Sequence, residues 1–130
     1  EVVTNLYKVR SVNDLNSMSV LCASKVLEHP VIVDDYVAEV KAGEKVLAEE
    51  TKSIGLEQLP TNASFALLRV GHRCSPADLV EALMTRGYLI KGPFGAECVA
   101  DCVRVTLGPP DVMKAFAQAL REVMESEFPI

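Results

Sequence analysis

Apolar residues in this chain recur first at helical spacing and later at extended spacing, with Pro and Gly punctuating the change. Leu15, Met18, Cys22 and Val26 repeat at intervals of three and four, which predicts a helix over residues 13–28 capped by Asn13 or Asp14. His29-Pro30 ends it, because the residue before proline is pushed out of the helical region. Pro30 suits the first turn of a second helix. Val33, Tyr36, Val37, Val40 and Leu47 form its expected apolar face, Asp34 and Asp35 complement its positive end, and Gly55 stops it.

Beyond Pro60 the spacing shortens. Phe65-Ala-Leu-Leu-Arg-Val70 is almost continuously apolar and reads as a buried strand. Ser75-Pro76-Ala77-Asp78 supplies a cap, a first-turn proline and an acid, hence a helix start. Leu79, Val80, Leu83 and Met84 are its expected inner face, and Gly87 closes it. Tyr88–Lys91 reads as a second strand, followed by a loop with Gly92, Pro93 and Gly95. In Cys102–Leu107, Val103, Val105 and Leu107 point one way while Cys102, Arg104 and Thr106 point the other. Gly108-Pro109-Pro110-Asp111 then opens a last helix with Val112, Met113, Phe116, Leu120 and Val123 on its face. The order helix, helix, strand, helix, strand, strand, helix predicts an α+β domain of two layers, with helices on one face of a small, mainly antiparallel sheet.

Composition narrows the function classes. A chain of 130 residues accommodates one modest core, and with 5% aromatics and no Trp that core rests on aliphatic residues. The net charge of −5, with 13 scattered basic residues, argues against a nucleic-acid partner. No apolar stretch approaches the roughly 20 residues that span a bilayer, so no membrane partner is expected. The N-terminus lacks a signal-peptide pattern and an initiator Met, so a chain starting at Glu1 reads as processed or cut from something longer. Cys22, Cys74, Cys98 and Cys102 allow a disulfide framework, but a core of this size does not need one, and the preferred reading is reduced cysteines in the cytoplasm. Cys98 and Cys102 lack metal-site spacing, and His29 and His72 lie far from them in sequence, so no metal site is expected.

Arg104 stands out among the polar residues. A guanidinium in the middle of a valine-rich strand either emerges on an open sheet face or is buried with a partner, since an unpaired buried charge is very costly. It is also the natural bidentate clamp for a carboxylate. If the glycine-containing loop returns as a hairpin, Lys91 and Arg104 converge on one anionic ligand; the plainer reading is a solvated or salt-bridged surface arginine. Ser17, Ser19 and Ser24 have no partnered histidine for a hydrolase triad. Asp34-Asp35 is explained as first-turn helix charge, and Glu49-Glu50 as a solvated helix face. Gly92-Pro93-Phe94-Gly95 lacks a phosphate-binding fingerprint.

Three segments nevertheless carry a resemblance. Leu6-Tyr-Lys-Val-Arg10 with Leu15-Asn16, Pro60-Thr-Asn-Ala-Ser-Phe65 leading into Ala-Leu-Leu-Arg-Val, and Arg86-Gly-Tyr-Leu-Ile-Lys91 followed by Val103-Arg-Val-Thr-Leu-Gly108 stand in one order. That order resembles the C-terminal small domain of fold-type I pyridoxal-phosphate aminotransferases, in the branch of histidinol-phosphate aminotransferase and threonine-phosphate decarboxylase. The gap between Lys91 and Arg104 agrees with the family's gap between two substrate-binding arginines. The resemblance implies that Arg104 holds a substrate α-carboxylate. Lys91 replaces the second arginine, keeping the charge and losing the fork. Ser64 stands where the family has asparagine.

It further implies that residues 1–12 connect from a missing N-terminal pyridoxal-phosphate-binding domain and that residues 13–130 form the small domain. No catalytic or cofactor-binding residue is expected in this chain, since the family's cofactor-carrying lysine lies upstream. Pyridoxal phosphate is expected in the full-length enzyme, which would act on an amino acid and a 2-oxo acid or phosphorylated keto substrate and be a homodimer. The alternatives are a lobe of an amino-acid phosphate decarboxylase, or a non-catalytic α+β binding module.

Overall fold

Asn16 and Ser75 cap the starts of two helices in this chain, and Gly55 and Gly87 close the ends of two. The computed structural model describes residues 2–9 and 15–129, apart from the side chains of Leu6 and Val9. Its elements are α1 (Val2–Val9), α2 (Ser17–Leu27), α3 (Pro30–Ser53), β1 (Glu57–Gln58), β2 (Phe65–Arg69), α4 (Pro76–Thr85), a 3₁₀ turn (Glu97–Val99), β3 (Cys102–Thr106) and α5 (Pro110–Ser126). The chain divides into two compact units, Glu1–Asp35 and Tyr36–Ile130.

In the first unit, the Asn16 side chain caps α2 by accepting from the Ser19 N–H at 2.8 Å. The expected caps, Asn13 and Asp14, lie outside the described residues. The apolar stripe read from the spacing is exposed: α2 has no buried residue, and Leu15 and Met18 are 79% and 68% exposed. Spacing identified an amphipathic stripe, but spacing does not say what covers it.

The second unit holds the core. Ala66, Leu68, Val70, Val103, Val105 and Leu107 line one face of the sheet. Leu47 of α3, Leu79 and Leu83 of α4, and Phe116, Leu120 and Val123 of α5 pack into the same apolar cluster. Of the face expected on α3, Val40 and Leu47 are buried, whereas Val33, Tyr36 and Val37 are exposed. On α4 Ala82 is buried where Met84 was expected, and on α5 Val112 is exposed while Ala117 and Met124 are buried.

Gly55 (φ +76) and Gly87 (φ +84) terminate α3 and α4 in the left-handed region. In each case two N–H groups reach back: Gly55 to Lys52 O and Leu56 to Thr51 O, then Gly87 to Met84 O and Tyr88 to Leu83 O. These are Schellman caps, and they satisfy carbonyls that the helix ends leave open. Tyr88 thereby spends its N–H on the cap, and its ring meets Phe116 edge-on at 5.6 Å. The expected strand Tyr88–Lys91 is therefore reduced to a single bridge at Lys91.

The sheet is antiparallel in the order β1-β2-β3. β1 was not expected, because two polar residues carry no periodicity. β2 alternates half-buried and buried residues rather than being buried on both faces, since the described helices cover one side of the sheet. Charged ties close the unit: Arg121 pairs with Glu50 at 2.8 Å and Arg86 with Glu127 at 2.9 Å. Glu50 is thus a link between α3 and α5 rather than a freely solvated acid.

Gly43 is required by a close approach. A Cβ there would overlap the carbonyl oxygen of Gly108. Gly43→Ala is expected to destabilise the domain by about 1–3 kcal/mol through overpacking, exceeding the roughly 1 kcal/mol of helix propensity that alanine adds. Urea unfolding of the variant should show a lower midpoint at unchanged slope; an equal or higher midpoint contradicts the contact.

Cys102 is buried and its Sγ donates to Asp101 Oδ1 at 3.3 Å. Burial first, and then this hydrogen bond, push the thiol pKa up from 9.0 to about 11. The unfolded chain releases this proton near its ordinary pKa while the folded chain retains it. The stabilisation is therefore complete below pH 9.0 and is lost as the pH rises to about 11. Over that window the loss is on the order of 2 kcal/mol. Unfolding curves across the interval should show this decline, and Cys102→Ala should flatten it; an identical slope in the variant assigns the loss to other groups.

Candidate functional site

The face of the sheet opposite the core carries the polar chemistry. β3 pairs with β2 so that Leu67 lies opposite Arg104 and Phe65 opposite Thr106. On the other side of β3, Lys91 and Arg104 exchange both backbone hydrogen bonds, Arg104 N–H to Lys91 O at 2.7 Å and Lys91 N–H to Arg104 O at 3.1 Å. Directly opposed residues of an antiparallel pair project from the same face. The two residues singled out from sequence are therefore brought together, with the 92–101 segment closing the return between them.

Like charges directly opposite one another are unfavourable unless something neutralises them. Among the described residues, no carboxylate pairs with either Lys91 or Arg104, and no side chain accepts a hydrogen bond from them. Other described arginines are engaged within the protein. Arg69 faces Glu57 and Asp101 at 3.4 and 3.6 Å, Arg73 donates to Ile54 O and Phe128 O, and Arg86 and Arg121 form the ion pairs given above. Arg104 is half-buried, and its Cζ lies 5.2 Å from the centroid of the Phe65 ring. From sequence Phe65 was read as the start of a buried strand and as the end of the Pro60–Phe65 motif, not as a neighbour of Arg104. The alternation that brings Arg104 outward on β3 also brings Phe65 outward on β2, and that signal was available.

The remaining polar candidates do not gather into a site. Cys22, Cys74, Cys98 and Cys102 are free thiols, and burial raises the pKa of Cys74 as well. Among the described residues no group of three or more His, Cys, Asp or Glu side chains is arranged to hold a metal ion, and no helix is long and apolar enough to cross a membrane. A cleft of about 610 Å³ is lined by Lys52, Arg73, Arg121 and Glu125, and another of about 330 Å³ by Tyr36, Lys41, Glu44 and the 61–64 segment. Neither is lined by Lys91 or Arg104.

Pyridoxal phosphate requires a lysine amine in an enclosed site, an acidic partner for the pyridine nitrogen and donors for the phosphate. Every lysine among the described residues is exposed, and neither cleft joins its lysine to an aspartate. By themselves the described residues do not fit that cofactor.

No family model matches the chain. It is 29% identical over 124 residues to a histidinol-phosphate aminotransferase of Symbiobacterium thermophilum, covering 95% of this chain and 34% of that protein. It is 30% identical over 121 residues to histidinol-phosphate aminotransferase 1 of Burkholderia lata, covering 92% of this chain and 33% of that protein. The chain thus spans about a third of the length of the curated relatives it matches. A crystal structure described as a candidate aminotransferase of Burkholderia pseudomallei shares the fold, with TM-score 0.70 at 16% identity over 93% of this chain and 36% of that one. Sequence and fold together make this chain similar, along nearly its whole length, to the α+β small domain of the histidinol-phosphate aminotransferase branch of pyridoxal-phosphate enzymes.

Proposed function

We propose that the chain is the substrate-clamping lobe of a pyridoxal-phosphate-dependent aminotransferase, which moves an amino group between an amino acid and a 2-oxo acid or phosphorylated keto substrate. The observation that carries this reading is the pair of neighbouring cations, Lys91 and Arg104, with no acidic partner among the described residues. Two positive charges held side by side by backbone hydrogen bonds form a preorganised receptor for an anion.

Arg104 presents a planar fork that matches the substrate α-carboxylate through two parallel hydrogen bonds. Lys91 adds a compact charge without that directionality, suited to a second anionic group. Phe65 and Leu67, both half-buried beside Arg104, reduce access of water to the guanidinium. Partial exclusion of water strengthens the attraction to a carboxylate. Fixing the carboxylate orients the amino acid so that its Cα proton faces the reacting centre. The groups that bind the cofactor and move the proton belong, on this reading, to the remaining two thirds of the polypeptide.

In the full-length enzyme, Arg104→Ala should lower kcat/KM for the amino-acid substrate by about 2–4 kcal/mol, the range for truncating one partner of a charged hydrogen-bonded pair. Arg104→Lys should recover part of the loss. Steady-state kinetics with an unchanged specificity constant in Arg104→Ala removes this residue from the site. The isolated chain should form no stoichiometric adduct with pyridoxal phosphate. Borohydride trapping followed by peptide mass mapping checks this, and one stoichiometrically labelled lysine contradicts it.

A further inference from the structure

The Phe65 ring beside Arg104 does more than limit access of water to the guanidinium, because its position also answers a specific physical need. An arginine anchored by a carboxylate spends part of its five N–H donors on that partner and has its charge offset, which leaves less of both for a ligand. Arg69 shows the other arrangement on the same sheet face: its Nε lies 3.4 Å from Glu57 and 3.6 Å from Asp101, so its charge is offset within the protein. Without any anchor, a long side chain samples many rotamers and loses that freedom when it binds.

An aromatic face resolves the conflict. It attracts the cation through the ring quadrupole and uses none of the in-plane N–H groups. Phe65 sits diagonally across the β2–β3 ladder from Arg104, two residues from its direct partner Leu67, and the Arg104 Cζ lies 5.2 Å from the ring centroid. Neither neighbour directly opposite Arg104 can do the same work: Leu67 has no π face, and Lys91 repels the guanidinium.

We infer that Phe65 is the positioning residue for Arg104, holding the guanidinium in its ligand-ready orientation while leaving its donors free. The inference rests on the proposed role of Arg104 as the carboxylate clamp. It adds that the aromatic character of residue 65, and not merely its bulk, sets how tightly the carboxylate is held.

The test is side-chain NMR on this chain together with kinetics of the complete enzyme, using Phe65→Leu and Phe65→Tyr. In the unsubstituted chain and in Phe65→Tyr, the Arg104 δ protons should lie upfield through the ring current, and the Nε–Hε group should be restrained in its heteronuclear NOE. Phe65→Leu should lose both signatures while the remaining backbone amides keep their positions; should that variant fail to fold, Phe65→Met takes its place. In the complete enzyme, assayed with glutamate as amino donor, Phe65→Leu should raise KM about five- to tenfold with little change in kcat, and Phe65→Tyr should stay near the unsubstituted value. An Arg104 side chain as mobile in the unsubstituted chain as in Phe65→Leu overturns the inference. So does a normal KM in Phe65→Leu when Arg104→Ala is impaired, which leaves the clamp itself standing. Normal kinetics in Arg104→Ala would instead remove the clamp, and the positioning role with it.

Discussion

Antiparallel pairing sets Leu67 opposite Arg104 and Leu68 opposite Val103. A side-chain period of two offers no intermediate arrangement. A slip of one residue would turn the guanidinium toward Leu79, Leu83 and Phe116, and send Val103 and Val105 into the open. The core therefore acts as the register lock for the cationic face: burying Ala66, Leu68, Val70, Val103 and Val105 on one side specifies which residues emerge on the other. The bridge from Lys91 extends the same register by one position and places the second charge beside the first.

Such a face is costly in isolation, because neighbouring positive charges repel and a half-buried guanidinium gives up part of its hydration. Elsewhere the domain pairs its arginines. Arg121 and Glu50 join α3 to α5, Arg86 meets Glu127, and Arg73 is taken up by two backbone carbonyls. The contrast separates these arginines from Arg104, whose donors meet no acceptor side chain among the described residues.

The sequence revealed those parts of the fold that depend on local chemistry. Pro30, Ser75, Gly55 and Gly87 mark helix ends through their own conformational limits, and the structure uses each one that way. The alternation of Cys102–Thr106 was equally plain and sufficed to single out Arg104. Legibility failed where the deciding partner is distant. Tyr88 looked like a strand residue, yet its N–H closes a helix begun twelve residues earlier at Pro76. Glu57-Gln58 becomes a strand only because β2 offers it a free edge. The stripe on α2 has helical spacing, but burial depends on a covering surface that spacing does not contain. For the candidate site, periodicity placed Arg104 outward, while its proposed carboxylate role came from the resemblance of the motifs rather than from any physical rule.

The meeting of Gly43 with Gly108 is a contact between main chains. Side-chain contacts can yield by a change of rotamer, whereas two backbones that touch have no such freedom. Gly108 lies two residues beyond the end of β3 and four after Arg104, so the strand that carries the guanidinium is braced against α3 close to its C-terminal end. The position of Arg104 is thereby tied to a long helix through main-chain atoms rather than through a loop, so an added side-chain atom at residue 43 must shift either α3 or the end of β3.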